Sequence, residues 1–247
     1  WPGAAVGECL EMLTAAAFIA AATEKIKLLT SVMVVPHRPA MLAAKMLATV
    51  DVLSGGRLTV GAGAGWMREE FEALGVPPFD QRGKVTDEYI AAFKTLWTEA
   101  APAMTGEHVN FDNVVFEPKP LQKPYPPIWI GGHTKPVMRR AARVGDVWLP
   151  PLFGTTPASL AESFEGVRDM AEQAGRPREA VSLALRVLVD LREEPATTGP
   201  ETRGAVLGPA AKVAEVLASY MEVGVSHFVL LPQARTLDDV QRTVEIL

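Results

Sequence analysis

The apolar and polar positions of the chain follow two periodicities that alternate along its length. Short β-type runs are separated by longer segments in which apolar residues recur every three or four positions. This alternation is typical of βαβ units around a parallel sheet. It predicts strands at 26–35, 58–62, 128–130, 147–149, 181–189 and 227–231, and helices at 8–24, 41–53, 84–98, 136–144, 158–174, 210–223 and from Leu237 onward.

Two segments interrupt the alternation. Segment 99–127 is rich in proline and contains β-like pieces at 108–111 and 114–116, and we expect it to cross the mouth of a barrel. Segment 192–207, with its prolines, glycines and threonines, has the composition of a mobile loop.

A barrel and a doubly wound sheet both fit the pattern, and we interpret 1–247 as one large domain. Six predicted strands are two short of a closed eight-stranded barrel. We therefore expect the first barrel strands to be absent from this chain and to precede Trp1.

The first predicted helix, 8–24, is rich in alanine and places Leu10, Leu13, Ala17 and Ala20 on one stripe. The stripe predicts a buried helix with a narrow contact face. Its apolar stretch is too short to span a bilayer, so we expect no membrane partner.

Composition narrows the classes of partner. A net charge of -5 supplies no basic surface for phosphate backbones, so we expect a small-molecule ligand and no nucleic acid. The single cysteine, Cys9, excludes an intramolecular disulfide and favours a cytoplasmic location. Histidines and carboxylates do not occur at metal-ligand spacing, so we expect no metal.

A glycine alternation at the end of the predicted strand 58–62 is the strongest local signal. Gly61, Gly63 and Gly65 lack the Cβ atoms that would keep a flat ligand away from the backbone. The spacing does not match the Rossmann pattern. A tight turn with close strand–helix packing explains the glycines equally well at this point.

A second glycine pair, Gly131-Gly132, precedes His133 and Thr134 at the start of a predicted helix. Open N–H groups there, with the Thr134 hydroxyl as a cap and basic residues nearby, predict a phosphate or carboxylate site. Alternatively, Thr134 is only a helix cap, and Arg139 and Arg140 lie on a solvated helix face. Two glycine-rich strand ends favour the ligand, because barrel active sites lie at the carboxyl ends of the strands.

Several of these segments together resemble the luciferase-like monooxygenases, over nearly the whole chain and in the correct order. The closest branch is that of the oxidoreductases that use the deazaflavin coenzyme F-420. The matching segments are Leu29-Thr30-Ser31-Val32, Pro36-His37-Arg38-Pro39, 48–58, Gly61 to Gly65, 126–133 and 140–146.

The resemblance implies an α/β fold, the (β/α)8 TIM barrel of the bacterial luciferase-like type, with the cofactor ring across the strand ends. It implies a cis peptide bond between Ser31 and Val32 behind the ring, and cofactor contacts from Val34, Ala64 and Gly65. It also implies that Gly131, Gly132, His133 and Thr134 form the phosphate loop.

The predicted chemistry is hydride transfer between coenzyme F-420 and a small organic substrate, with one proton to be handled. The weak candidates for catalysis are Trp66, Glu69 and Glu70. Packing explains Trp66 at least as well, and the helix dipole explains the two glutamates better than catalysis does. His37 and Arg38 are expected near the mouth, where Arg38 either meets the cofactor or anchors a loop by a salt bridge.

Two rival functions stay open. An FMN-dependent two-component monooxygenase shares the barrel and the phosphate loop, and a non-catalytic flavin-binding barrel would bind the cofactor without turnover. The family resemblance also implies a homodimer.

Overall fold

The computed structural model describes residues 10–191 and 205–232. They group into two compact units, Trp1–Ile128 and Trp129–Leu247. The interpretation of 1–247 as one barrel domain stays a prediction. No helix in the described ranges has the length and apolar character needed to cross a membrane.

The first unit begins with helices and parallel strands in alternation. Both β1 and β2 pair in parallel with β3, through Leu28↔Leu58 and Met33↔Ala62. The elements are α1 (Met12–Ala22), β1 (Leu28–Leu29), β2 (Met33–Val34), α2 (Ala40–Leu53), β3 (Leu58–Gly63), α3 (Arg68–Leu74), α4 (Arg82–Thr98), β4 (Met104–Thr105) and β5 (Asn110–Phe111).

The single strand predicted at 26–35 is therefore wrong, because 30–32 separate two short strands. The physical reason is the Thr30 side chain, whose hydroxyl replaces backbone hydrogen bonds between this segment and β3. Its hydroxyl donates to the Gly61 carbonyl at 2.9 Å and accepts from the Gly61 N–H at 2.8 Å. The bond between Ser31 and Val32 is cis, as the resemblance implied.

Helix α1 is less buried than its composition predicted. Leu13 and Ala20 are buried, and the helix packs on α2. Leu10 and Phe18, however, are 80% and 75% exposed. The prediction of a buried helix is wrong because only one stripe of α1 is covered within its unit.

Arg57 closes the carboxyl end of α1. Its guanidinium donates to the carbonyl oxygens of Ala20, Thr23 and Ile26 at 2.7–2.8 Å. The last carbonyls of a helix lack partners within the helix, so Arg57 supplies them from the start of β3.

Segment 99–127 contains one antiparallel hairpin, in which Met104 pairs with Phe111. The piece predicted at 114–116 is not a strand, because Asn113 with its positive φ of 53° interrupts the extended run. The segment is tied to α2, since the buried Asp51 carboxylate accepts from the N–H and side-chain amide of Gln122 at 3.1 and 2.7 Å. That it crosses a barrel mouth stays a prediction.

The second unit continues the alternation. Strand β7 pairs in parallel with β6 and β8, and β8 pairs in parallel with β9 and β10. The elements are β6 (Ile128–Gly131, which begins at the boundary), α5 (Lys135–Val144), β7 (Val147–Leu149), α6 (Pro157–Gln173), β8 (Ser182–Leu191), β9 (Ala205–Gly208), α7 (Ala210–Met221) and β10 (Val225–Pro232).

One predicted loop is partly a strand. Residues 205–207, assigned to the mobile loop 192–207, belong to β9, which pairs with β8 from Leu188↔Ala205 to Leu191↔Gly208. A four-residue strand that depends on a distant partner leaves little local signal. The remainder of that loop, 192–204, and the helix predicted from Leu237 lie outside the described residues.

Candidate functional site

The glycine run forms a packing surface within the first unit. A methyl group at Gly61 would overlap the Thr30 carbonyl oxygen, and one at Gly63 would lie 2.8 Å from Cγ2 of Val32. Real Cβ atoms do not approach other atoms so closely. Close packing of β3 on the segment that contains Thr30 and Val32 therefore requires these two glycines, which favours the packing interpretation over close ligand approach at these positions.

Gly65 ends the run with a positive φ of 82°. An added Cβ would lie 2.8 Å from both Cγ1 of Val34 and the Phe71 ring. The Gly65 carbonyl accepts from Nε of Arg82 at 3.2 Å. The end of β3 is thus held from α3, from α4 and from β2, which gives the following loop a fixed starting point.

A line of rings supports this end of the unit. The ring of Phe71 contacts His37 edge-on with centroids 4.9 Å apart, and Phe79 edge-on with centroids 5.3 Å apart. The guanidinium of Arg82 lies 3.9 Å from the centroid of Phe79. Such ring and cation–π contacts add specific geometry to the apolar burial.

The other site residues predicted in the first unit differ in exposure. Val32 and Val34 are half-buried against the glycine run and Ala64 is half-buried, while Ser31 is exposed. Trp66 is 67% exposed, so plain core packing does not explain it. Glu69 and Glu70 lie in the first turn of α3, where the helix dipole favours acids.

Arg38 and His37 are adjacent in the chain but contact different acidic residues. Arg38 forms an ion pair with Glu11, the residue that caps α1, so its salt-bridge interpretation is confirmed. His37 lies with Nε2 3.9 Å from Oε2 of Glu70. Burial lowers the pKa of His37 below its usual value, against a smaller raising effect of Glu70.

The predicted phosphate loop lies in the second unit and is held by β7. Gly132 has a φ of 121°, donates to the Leu149 carbonyl at 3.1 Å and accepts from the Trp148 indole at 2.8 Å. His133 is exposed and contacts the Phe153 ring edge-on, with centroids 6.1 Å apart.

Thr134 is the N-cap residue of α5, but its side chain forms no capping hydrogen bond. The prediction that its hydroxyl caps the helix is therefore wrong. A cap bonds the N–H of the second or third helical residue, and the second is Pro136, which has none. Among the described residues, the N–H groups of Lys135 and Val137 have no backbone hydrogen-bond partner.

The two arginines of α5 also differ. Arg139 is exposed, as expected for a solvated helix face, whereas Arg140 is only 6% exposed. The solvated-face interpretation is thus wrong for Arg140, because the helix turns that side chain toward its buried side together with Ala141.

Strand β8 carries two charged residues that our sequence analysis missed. Trp148 stacks on Phe164 of α6, and its partner Leu183 shares that face of the sheet. Arg186 and Asp190 lie on the opposite face by the period of two, and both are half-buried. Charged residues in an otherwise apolar strand are the signal that would have identified them. The described residues contain no cluster of three or more metal-ligating side chains.

Comparison with solved structures identifies the fold. The described architecture matches an F420-dependent secondary alcohol dehydrogenase with a TM-score of 0.82 at 16% identity, covering 97% of this chain and 84% of that one. It also matches the coenzyme F420-dependent tetrahydromethanopterin reductase of Methanopyrus kandleri, again at 0.82, with 14% identity and 96% and 85% coverage. The predicted luciferase-like α/β barrel class is thereby confirmed.

Sequence relatives include enzymes with a different cofactor. An FMNH(2)-dependent dimethylsulfone monooxygenase of Pseudomonas putida is 35% identical over 185 residues, which is 74% of this chain and 49% of that protein. An uncharacterised protein of Mycobacterium tuberculosis is 32% identical over 231 residues, 92% of this chain and 71% of that protein. The chain spans about half the length of the named monooxygenase.

The profile of the luciferase-like monooxygenase family matches residues 2–224. With nearly the whole chain matched and the barrel class found independently, the chain belongs to the luciferase-like monooxygenase family.

Proposed function

We propose that the protein is an oxidoreductase that transfers a hydride between the deazaflavin coenzyme F-420 and a small organic substrate. The observation that carries the proposal is the start of α5 after β6, where the N–H groups of Lys135 and Val137 have no backbone hydrogen-bond partner among the described residues. The two F420-dependent neighbours with TM-scores of 0.82 support the same choice.

The loop at Gly131–Thr134 fits the phosphate that such a cofactor carries. The N–H groups of Lys135 and Val137 at the start of α5 have no backbone partner among the described residues, and Trp148 fixes the adjacent Gly132. A helix start of this kind binds anions through its N–H groups and its dipole.

FMN is the second candidate cofactor, in a two-component monooxygenase. The observation in its favour is the 35% identity to the FMNH(2)-dependent enzyme of Pseudomonas putida. A non-catalytic flavin-binding barrel would bind either cofactor without turnover. We also propose a cytoplasmic location, which the single cysteine supports.

Titration of the purified protein with FMN and with coenzyme F-420, followed by tryptophan fluorescence and calorimetry, tests these choices. Micromolar binding of F-420 alone supports the proposal, preference for FMN supports the monooxygenase, and binding of neither refutes both.

Lys135→Pro tests the phosphate loop itself. Proline is favoured at the first helical position, and Thr134 already has the extended backbone (φ -79°, ψ 155°) that proline requires before it. The variant removes one N–H, and Lys135→Ala is the control that removes only the charge. Loss of one hydrogen bond to a charged group, about 1.5–3 kcal/mol, weakens binding roughly ten- to hundredfold beyond the control.

We further propose that the protein forms a homodimer through α1 and α2. Helix α1 contains no charged residue and exposes Phe18 at 75%, and the helix it packs on, α2, exposes Leu42 and Leu53 at 51% and 59% together with Lys45. Surface helices normally carry a charged face, so the exposed face of α1, which carries no charge, indicates a partner.

Light scattering of the protein, with Phe18→Asp and Val115→Asp as variants, tests the dimer. We expect the first variant alone to dissociate, since Val115 is exposed but lies outside these helices. A wild-type mass of one chain would refute the proposal.

A further inference from the structure

His37 occupies a position at which barrel enzymes place ligand-facing residues. It closes the short 3-10 turn Val35–His37, which directly follows β2. Because β2 and β3 are parallel, this turn and the loop after Gly65 lie at the same carboxyl end of the two strands. Ligand sites of parallel α/β folds lie at that end.

The two edges of the His37 ring have different surroundings. Nε2 is buried and has no hydrogen-bond partner among the described residues, although Oε2 of Glu70 lies only 3.9 Å away. The side chain as a whole is 14% exposed, and Nδ1, unlike Nε2, is not among the buried atoms that lack a partner. We therefore assign the Nε2 edge to the carboxylate and the Nδ1 edge to the ligand side.

This arrangement is that of an imidazole oriented by a carboxylate. The buried nitrogen meets the carboxylate, which fixes the tautomer and stabilises the positive charge, while the second nitrogen is available for proton exchange. At 3.9 Å the two groups are an ion pair beyond hydrogen-bonding distance, and the Glu70 side chain is 48% exposed.

The surroundings favour a neutral ring at neutral pH. Burial lowers the pKa of His37, Glu70 opposes that effect, and the neighbouring Arg38 lowers the pKa further. Arg38 itself is engaged by Glu11. A neutral ring accepts a proton, which is what the oxidation of a substrate by hydride loss requires.

We propose that His37 is the acid–base residue of the ligand site and that Glu70 is its positioning residue. The inference rests on the proposed function. Coenzyme F-420 bound at this end would accept the hydride of the substrate's C–H bond, and the neutral ring of His37 takes up the proton that leaves the substrate's heteroatom. Glu70 then stabilises the imidazolium, and the reverse reaction returns both.

The first test follows the four histidines by NMR during a pH titration, with the His37 signal assigned through its loss in His37→Gln. Glu70→Gln lowers the His37 midpoint, because the carboxylate that raises its pKa is removed. Glu69→Gln, in the same helix turn, leaves the midpoint unchanged. An equal midpoint in wild type and Glu70→Gln overturns the positioning role.

The second test adds FMN or coenzyme F-420 to the same samples. A bound ligand shifts the His37 midpoint, which a purely structural histidine would not show. The part of the pH dependence of cofactor affinity that follows the His37 midpoint is lost in His37→Gln and retained in Glu69→Gln. Binding without any effect on His37 refutes only this inference, whereas binding of neither cofactor refutes the proposed function and this inference with it.

Discussion

Replacement of Gly61 by alanine tests whether the glycine run serves packing. The new methyl group would overlap the Thr30 carbonyl oxygen, a backbone atom that cannot move aside as a flexible side chain does. Separation of the strands also breaks both hydrogen bonds between the Thr30 hydroxyl and the Gly61 backbone. At about 1 kcal/mol for each bond and 1–3 kcal/mol for overpacking, the free energy of unfolding falls by roughly 3–5 kcal/mol.

Equilibrium unfolding in urea, followed by tryptophan fluorescence, measures this loss. Gly166→Ala in α6 is the matched control, because no atom lies within 4 Å of its added methyl group. That control gains about 0.5–1 kcal/mol from its helical position. If Gly61→Ala were as stable as wild type and only lost cofactor affinity, the glycine would serve the ligand and our reasoning on packing would be refuted.

Three further predictions concern stability. The pKa of Glu11 is lowered to about 2, because hydrogen bonds from Thr14 and Leu13 and the Arg38 guanidinium outweigh its burial. Its stabilising effect is therefore complete above pH 4.5 and lost as the pH falls toward 2, so the unfolding free energies of wild type and Glu11→Gln should converge over that range. Asp51→Ala removes two hydrogen bonds to a buried carboxylate and costs about 3 kcal/mol in urea unfolding, and a cost below 1 kcal/mol would contradict this account. Arg57→Met exposes the end of α1, measured as faster amide exchange in that helix than in α6.

The long elements could be predicted from the sequence because their signals are local. Helices α5 and α6 begin one residue before their predicted starts, and β7 matches its prediction at both ends. In each case the apolar period and a flanking proline or glycine identify the element without reference to the remainder of the chain. Strand β9 lacked such a signal, because its identity depends on pairing with β8.

The function of the glycine run could not be decided from the sequence for a similar reason. What a Cβ atom at each glycine would contact depends on the register between β2 and β3. The pairing of Val34 with Gly63 cannot be predicted from either segment alone. The same pairing brings His37 near Glu70, 33 positions away in the chain. Sequence reasoning named both residues but gave no reason to connect them.

The segments that identify the family contain residues that hold the fold together. This is why those segments do not decide between FMN and coenzyme F-420 as the cofactor. Asp51 accepts a hydrogen bond from Gln122, and Arg57 donates to the end of α1. Gly61 leaves room for the carbonyl oxygen of Thr30. The chain is similar in sequence to an FMNH(2)-dependent enzyme and in fold to an F420-dependent one. The chemistry must then depend on side chains that the fold does not require.

Arg186 of β8 and Glu70 of α3 meet that condition. The guanidinium of Arg186 forms no ion pair with the described residues, and Glu70 is 48% exposed beside His37. Substitution of either residue is therefore expected to change ligand affinity by tenfold or more, about 1.4 kcal/mol, at a stability cost below about 0.5 kcal/mol. The opposite pattern, a large loss of stability with unchanged affinity, would place both residues among those that hold the barrel together.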